Sequence, residues 1–402
     1  METLRPAFQP NVLILRLHTE DGLTGLGESF YGATAVEAYL HDHVAPALLA
    51  CRDPAPESVA RLLAPYTGYQ GGGVEIRAAG AVDIAMWDIL GKRAGLPVAE
   101  LLGGPVRDSI RVYNTCAGPG YVNATSRQEP ANWGRGRGDY EDLDAFLTRP
   151  GELARELAAE GVTGMKIWPF DQAAERTGGT DISPAELAAG VRVVERIREA
   201  VGLDMALMIE LHGLWNQPSA VRICRALAPF EPYWVEDPIR ADAPAALAAL
   251  SAETGVPIAA GETVVGRRGF LPLLTAGAVD VATVDVQWTG GLTEARKTAS
   301  LADAFGIPVA PHDCTGPISF AACVHLVLSQ PNGLIQETVR AFLRTWYGRL
   351  VTGLPAVTDG TIAAGGEPGL GLELNPDLTG DPATVRRVTR RERSQPAPDA
   401  VS

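Results

Sequence analysis

Three glutamates constrain this chain more than any other feature. Glu210, Glu236 and Glu262 each close an apolar run: Met205-Ala-Leu-Met-Ile-Glu210, Tyr233-Trp-Val-Glu236 and Pro257-Ile-Ala-Ala-Gly-Glu262. Runs of this length, bounded by polar residues, read as buried strands. The glutamates stand 26 and again 26 residues apart, which is the length of one strand and one helix. Strand ends are expected near Cys116, Trp168, Glu210, Glu236, Glu262, Asp285, His312 and Glu337, and after Glu210 the rhythm is kept. The later steps are 23, 27 and 25 residues. Helical patterns fill the gaps at 219–227, 245–253 and 292–304. Eight such units predict an α/β fold, a (β/α)8 barrel of the TIM type. A doubly wound open sheet is the competing architecture. No Gly-rich phosphate loop follows the first strand, and polar residues recur at strand ends around the whole set, so the barrel is preferred.

The chain is longer than one core usually holds, at 402 residues, so a second unit is expected. Residues 12–28 read as two strands around Glu20-Asp-Gly22, a hairpin signal. Residues 29–34 and 66–74 are Gly- and Tyr-rich loops, and 35–64 has a helical pattern. A strong helix pattern runs over 75–94 and stops at Gly95-Leu-Pro97, where glycine suits a cap and proline cannot continue. The boundaries that follow are an α+β capping domain over 1–108, the barrel over 109–352, and a C-terminal segment, 353–402, returning to the cap. Within these, 118–150 is too long for an ordinary connection and reads as a flap over the site. The last stretch, 387–402, is polar and expected to fray.

The net charge of −14 argues against nucleic acid or an anionic membrane surface as partner. No apolar run approaches the ~18 residues of a membrane helix. The N-terminus has no basic segment followed by an apolar one, so no signal peptide is expected. Cys51, Cys116, Cys224, Cys314 and Cys323 lack paired spacing. Reduced thiols and a cytoplasmic location follow.

Functional groups of such barrels sit at the carboxyl ends of strands. Here that list reads Lys166, Glu210 with His212, Glu236, Glu262, Asp285, His312 and Glu337. Three carboxylates suit a hard divalent cation and leave positions open for substrate. A carbon acid beside such a cation still needs a base. His312 is the candidate, with Asp285 to orient its ring. Glu210 and His212, two apart on a strand, are expected on one face, with His212 as an acid. His18, His41, His43 and His325 lack this context and read as structural, as do Lys92 and Lys297. Asp313 is expected to point away from His312. Trp168, Trp215 and Trp288 are expected around the mouth, where aromatic rings either stack on substrate or pack the rim.

These residues resemble a known family. Gly25-Leu-Gly-Glu28, Ala81-Val-Asp-Ile-Ala-Met-Trp-Asp-Ile-Leu-Gly-Lys92, Pro97-Val-Ala-Glu-Leu-Leu-Gly-Gly104, Val235-Glu-Asp-Pro238, Gly290-Gly-Leu-Thr293 and Gln336-Glu337 are together similar to the enolase superfamily. The likeness is to its mandelate racemase-like group of acid-sugar dehydratases, of the galactonate dehydratase type, and spans nearly the whole chain. It implies a modified barrel under an α+β cap, with one Mg2+ per subunit on Glu210, Glu236 and Glu262. It implies a His312–Asp285 base dyad, Lys166 beside the substrate carboxylate, Glu337 hydrogen-bonded to it, and His212 as acid for a departing hydroxyl. Tyr31, Trp168, Trp288 and the loop at 68–73 would contact substrate, a small-molecule carboxylate. A homo-oligomer, dimer or octamer, is also implied.

Two departures stand out. Racemases of the group carry Lys-x-Lys on strand two, and here the second lysine is Trp168, which cannot take a proton. Many relatives have aspartate where Glu210 stands. The first departure favours elimination: C2 proton abstraction to an enediolate, loss of the C3 hydroxyl, and a 2-keto-3-deoxy acid from an aldonate or aldarate. The alternatives are a one-base epimerase or isomerase, a lactonising enzyme, and a catalytically silent ligand-binding relative.

Overall fold

The computed structural model describes residues 1–51, 54–64, 72–123, 130, 133–136 and 138–391. The N-terminal part is built on three antiparallel strands, β1 (Glu2–Arg5), β2 (Val12–His18) and β3 (Thr24–Phe30). The strand Val385–Val388 completes this sheet by pairing with β1, in register from Glu2 with Val388 to Arg5 with Val385. Arg387 and Val388 are therefore held, and Thr389 N–H donates to Met1 O. The frayed end expected from Arg387 onward is corrected for 387–389, where backbone pairing outweighs the polar composition; 392–402 lie outside the described residues.

The helix Val74–Ala94 crosses this sheet and ends on Gly95 at φ +68°. Both of its faces are covered, one by the sheet and the other by the barrel, which is why its apolar pattern runs nearly all round. Close approach to β3 needs glycine: a Cβ on Gly27 would stand 1.9 Å from Ala81 O. Asp88 ties three parts together. Its carboxylate accepts from Leu26 N (2.9 Å) and Leu370 N (2.8 Å) and pairs with Lys92 Nζ (2.9 Å).

The second part is a barrel. β4 (Ile110–Thr115), β5 (Gly164–Ile167), β6 (Ala206–Glu210), β7 (Trp234–Glu236), β8 (Ile258–Ala260) and β9 (Val281–Ala282) pair in parallel in that order. β10 (Gln336–Thr338) pairs with β4 and closes the ring. The seventh position is occupied by 309–312, held through isolated bridges from Ala282 to Val309, Asp285 to His312 and Val309 to Gly333. Inward residues form a dry layer below the mouth: Tyr113, Met208, Trp234, Ala259, Val281, Ala310 and Ile335. The two-residue period of a strand then carries Met208 to Glu210 and Trp234 to Glu236, one level higher.

The cap docks on the barrel through polar staples. Glu28 is buried against the start of the helix Pro317–Ser329, accepting from Ile318 N (3.2 Å) and Gln287 Nε2 (3.0 Å). Asp83 accepts from Thr293 N at 2.9 Å. Among the described residues no helix is long and apolar enough to cross a membrane.

Candidate active site

The strand register assembles the acidic cluster. Glu210 is the β-ladder partner of Glu236, so parallel pairing sets the two carboxylates side by side. Glu262 arrives differently. β8 ends at Ala260, and Gly261, at φ +135°, turns the chain; a Cβ there would meet the Phe270 ring at 2.5 Å. Glu262 is thus beyond its strand, not at its end. One carboxylate oxygen from each of Glu210, Glu236 and Glu262 lies within 4.8 Å of the others. Lys166 Nζ stands among them, 3.0 Å from Glu236, 3.0 Å from Glu337 and 3.5 Å from Glu210.

One lysine does not satisfy this cluster. Burial raises the Glu236 carboxyl to about 8 against the pull of Lys166, and neighbouring Glu210 and Glu337 push the same way. Burial raises Glu262 too. Glu210 Oε2 is buried and makes no hydrogen bond, despite its ion-pair contact with Lys166. Crowded hard oxygens with an orphaned carboxylate lone pair fit a divalent cation of the Mg2+ type.

Two imidazoles flank the cluster, each held by its own carboxylate. His312 donates through Nδ1–H to Asp285 Oδ2 at 2.8 Å and turns Nε2 toward Glu262 Oε2 at 3.2 Å. Asp285 is fixed in turn by Trp288 N–H at 2.7 Å. Neither residue is on a regular strand: β9 ends at Ala282, and the Asp285–His312 bridge substitutes for the expected strand ends. His212 is paired through Nδ1 with Asp171 Oδ2 at 2.8 Å. Burial opposes its protonation, but Asp171 and Glu210 outweigh that and hold its pKa up at about 10. His212 was expected on the strand, on the face of Glu210. The strand ends at Glu210, and His212 adopts φ +52°, its N–H donating to Glu210 Oε1 at 2.6 Å. The side chains still share one cavity, but through a left-handed turn rather than strand alternation.

That cavity holds about 700 Å3, ample for a sugar acid. Lys166, Glu210, His212, Glu262 and His312 line it, together with Tyr31, Trp168 and Trp288. An indole packs on each imidazole: Trp168 on His212 (ring centroids 5.9 Å apart) and Trp288 on His312 (5.2 Å). Trp215, expected at the mouth, is buried and does not line the cavity. Glu337 does not reach it either: Oε1 accepts from Thr115 Oγ1, and Oε2 from Asp313 N at 2.7 Å. His325 accepts from Ala99 N inside the fold, and Lys297 pairs with Glu57.

Sequence reasoning missed Asp171 and Arg77. Asp171 follows β5 by four residues, a carboxylate in a mouth loop, and that was the available signal. Arg77 sits on the cap helix, and nothing local marks it. Of the expected flap, Tyr121, Val122, Pro130 and Trp133 line the cavity, whereas Asp142–Thr148 is helical. Residues 124–129, 131–132 and 137 of that flap, and 65–71 of the cap loop, lie outside the described residues.

With the site in place, likeness to known proteins becomes informative. Residues 150–378 match the enolase C-terminal domain-like family. Residues 5–103 match the N-terminal domain of mandelate racemase / muconate lactonizing enzyme. The chain belongs to the enolase superfamily. Within it, the chain is 32% identical to a D-galactonate dehydratase of Xanthomonas oryzae over 380 residues, covering 92% of this chain and 90% of that one. A D-galactonate dehydratase of Pectobacterium atrosepticum is 31% identical over 398 residues, 97% and 93% of the two chains. A crystal structure of a mandelate racemase-subgroup enolase from Agrobacterium tumefaciens superposes with a TM-score of 0.84 at 42% identity, over 96% of each chain. The barrel-and-cap fold and mandelate racemase-like membership read from the sequence hold. These relatives place this enolase-superfamily chain among enzymes of the hydro-lyase class.

Proposed function

We propose that the chain dehydrates an acid sugar, an aldonate or aldarate, to a 2-keto-3-deoxy acid. The observation that carries this reading is the pair of carboxylate-held imidazoles, His312–Asp285 and His212–Asp171, on one cavity beside the acidic cluster. Glu210, Glu236 and Glu262 would hold one Mg2+. Bound there, a divalent cation supplies Lewis acidity, drawing charge onto the oxygens of a substrate carboxylate and so acidifying its α-carbon.

The protein's own groups do the rest. His312 takes the C2 proton at Nε2, its ring fixed by Asp285. Lys166 sits where negative charge grows on the substrate carboxylate and stabilises it. Glu337, with both oxygens engaged by Thr115 and Asp313, serves by holding the Lys166 ammonium in place at 3.0 Å. His212, carrying a proton under the influence of Asp171 and Glu210, gives it to the C3 hydroxyl as the C3–O bond breaks. Water leaves, and the resulting enol tautomerises to the 2-keto acid. Trp168 offers no basic atom on the opposite face, which favours elimination over a two-base proton transfer.

The test is a diastereomer panel of aldonates and aldarates, incubated with Mg2+-loaded protein and assayed for 2-keto acid. Turnover of at least one member is expected, lost in His312→Asn while Mg2+ binding by calorimetry is kept. A folded, Mg2+-binding protein that forms no 2-keto acid from any member sinks the reading.

A further inference from the structure

Each basic side chain lining the cavity faces a carboxylate, with one exception. Lys166 faces Glu236 and Glu337, His212 faces Asp171, and His312 faces Asp285 and Glu262. Arg77 lines the same cavity, and among the described residues no carboxylate oxygen lies within ion-pair distance of it. It enters from the first turn of the cap helix Val74–Ala94, opposite the strand ends. One N–H donates to Phe30 O at 2.6 Å, and the guanidinium lies over the Trp288 ring at 4.6 Å. These contacts aim the group and, among the described residues, leave most of its five donors without a hydrogen bond. Asp285 and Glu262 act on this guanidinium only through space, and a half-buried, aimed cation with no direct ion pair is suited to a ligand that brings one.

The same indole sets the distance. Trp288 lies 4.6 Å from the Arg77 guanidinium and 5.2 Å from the His312 ring, so cation and base are no more than about 10 Å apart. A short sugar-acid chain bridges that span. One of its ends belongs with Lys166 and the acidic cluster, and the other comes to Arg77.

Taking the acid-sugar reading as its basis, we propose that Arg77 reads the far end of the substrate and that this end is a second carboxylate. The site then takes an aldarate in preference to the matching aldonate. A terminal hydroxymethyl accepts a hydrogen bond but gives the guanidinium no direct ion pair, whereas a carboxylate meets both the fork and the charge.

The experiment pairs six-carbon aldarates with aldonates of the same C2–C5 configuration, on Mg2+-loaded wild type, Arg77→Met and Arg77→Lys. For wild type, kcat/KM on the diacid is expected to exceed that on the monoacid by about tenfold or more. Arg77→Met should lose roughly a hundredfold on the diacid, mostly in KM, and at least about tenfold less than that on the monoacid. Arg77→Lys should fall between, since it keeps the charge and loses the fork. Equal losses on both acids would reduce Arg77 to a prop for Phe30 and Trp288 and overturn the proposal, as would a wild-type preference for the aldonate. Calorimetric binding of the same acids separates this proposal from the dehydration reading. Tighter diacid binding that disappears in Arg77→Met supports Arg77 even where no acid is turned over, and equal binding overturns it. Should Arg77→Met fail to fold by thermal unfolding, Arg77→Lys carries the comparison alone.

Discussion

Asp171 shows what one carboxylate does at this site. It is buried, pairs with His212 at 2.8 Å and leaves its other oxygen without a hydrogen bond. It therefore acts through the imidazole, holding ring and proton in place, as a positioning residue. Asp171→Asn is expected to keep the fold and lower the dehydration rate by about 10- to 100-fold, while exchange of the C2 proton with solvent deuterium, the work of His312, changes by less than about threefold. Parallel losses of both rates would remove Asp171 from the acid half of the reaction. The residues readable in advance were those whose strand-end spacing repeats: Lys166, Glu210, Glu236, Glu262, Asp285, His312 and Glu337. Asp171 and Arg77 escaped because loop and cap geometry, not strand period, brings them to the cavity. His212 was singled out on an argument the backbone does not follow, since φ +52° takes it off the strand.

At the scale of elements, the helix Pro317–Ser329 carries an imidazole that titrates against the fold. His325 Nδ1 accepts from Ala99 N at 3.2 Å, so protonation there would set donor against donor. Burial lowers its pKa to about 4, against a backbone hydrogen bond at Leu370 that favours the charged form. Between about 6.5 and 4 the unfolded chain binds a proton that the native protein refuses, so stability is full above this window and is lost as pH falls through it, by roughly 3 kcal/mol. Melting temperatures from pH 7.5 to 4.5 should fall more steeply for wild type than for His325→Asn, and identical slopes would contradict this. The cap helix gives a second case. Gly27→Ala drives a methyl against Ala81 O and should cost about 1–3 kcal/mol in chemical denaturation; an unchanged midpoint would show that helix and sheet separate freely. Element order was legible because apolar runs and turn signals alternate at a fixed period. The strand ends expected at Asp285 and His312 are not formed as regular strands, since there the ladder thins to single bridges and side-chain pairing replaces strand pairing.

On the scale of the whole molecule, two units share one site: the barrel supplies the acidic cluster and both dyads, and the cap supplies Tyr31 and Arg77. Burial raises the Glu236 and Glu262 carboxyls, and their carboxylate neighbours push the same way, so the cluster lacks positive charge. Mg2+ should therefore raise the melting temperature and a chelator lower it, with about 2.7 kcal/mol gained at a hundred times Kd. Glu236→Gln should abolish the Mg2+-dependent increment, and an increment that persists would move the cation elsewhere. The central claim is that the two dyads perform separate halves of one elimination. It is tested most directly by incubating His212→Asn with a turned-over acid sugar in D2O and following C2 deuterium and 2-keto acid together. The account predicts that deuterium enters C2 while 2-keto acid formation falls at least about a hundredfold; loss of exchange along with dehydration, or dehydration undiminished, would contradict it.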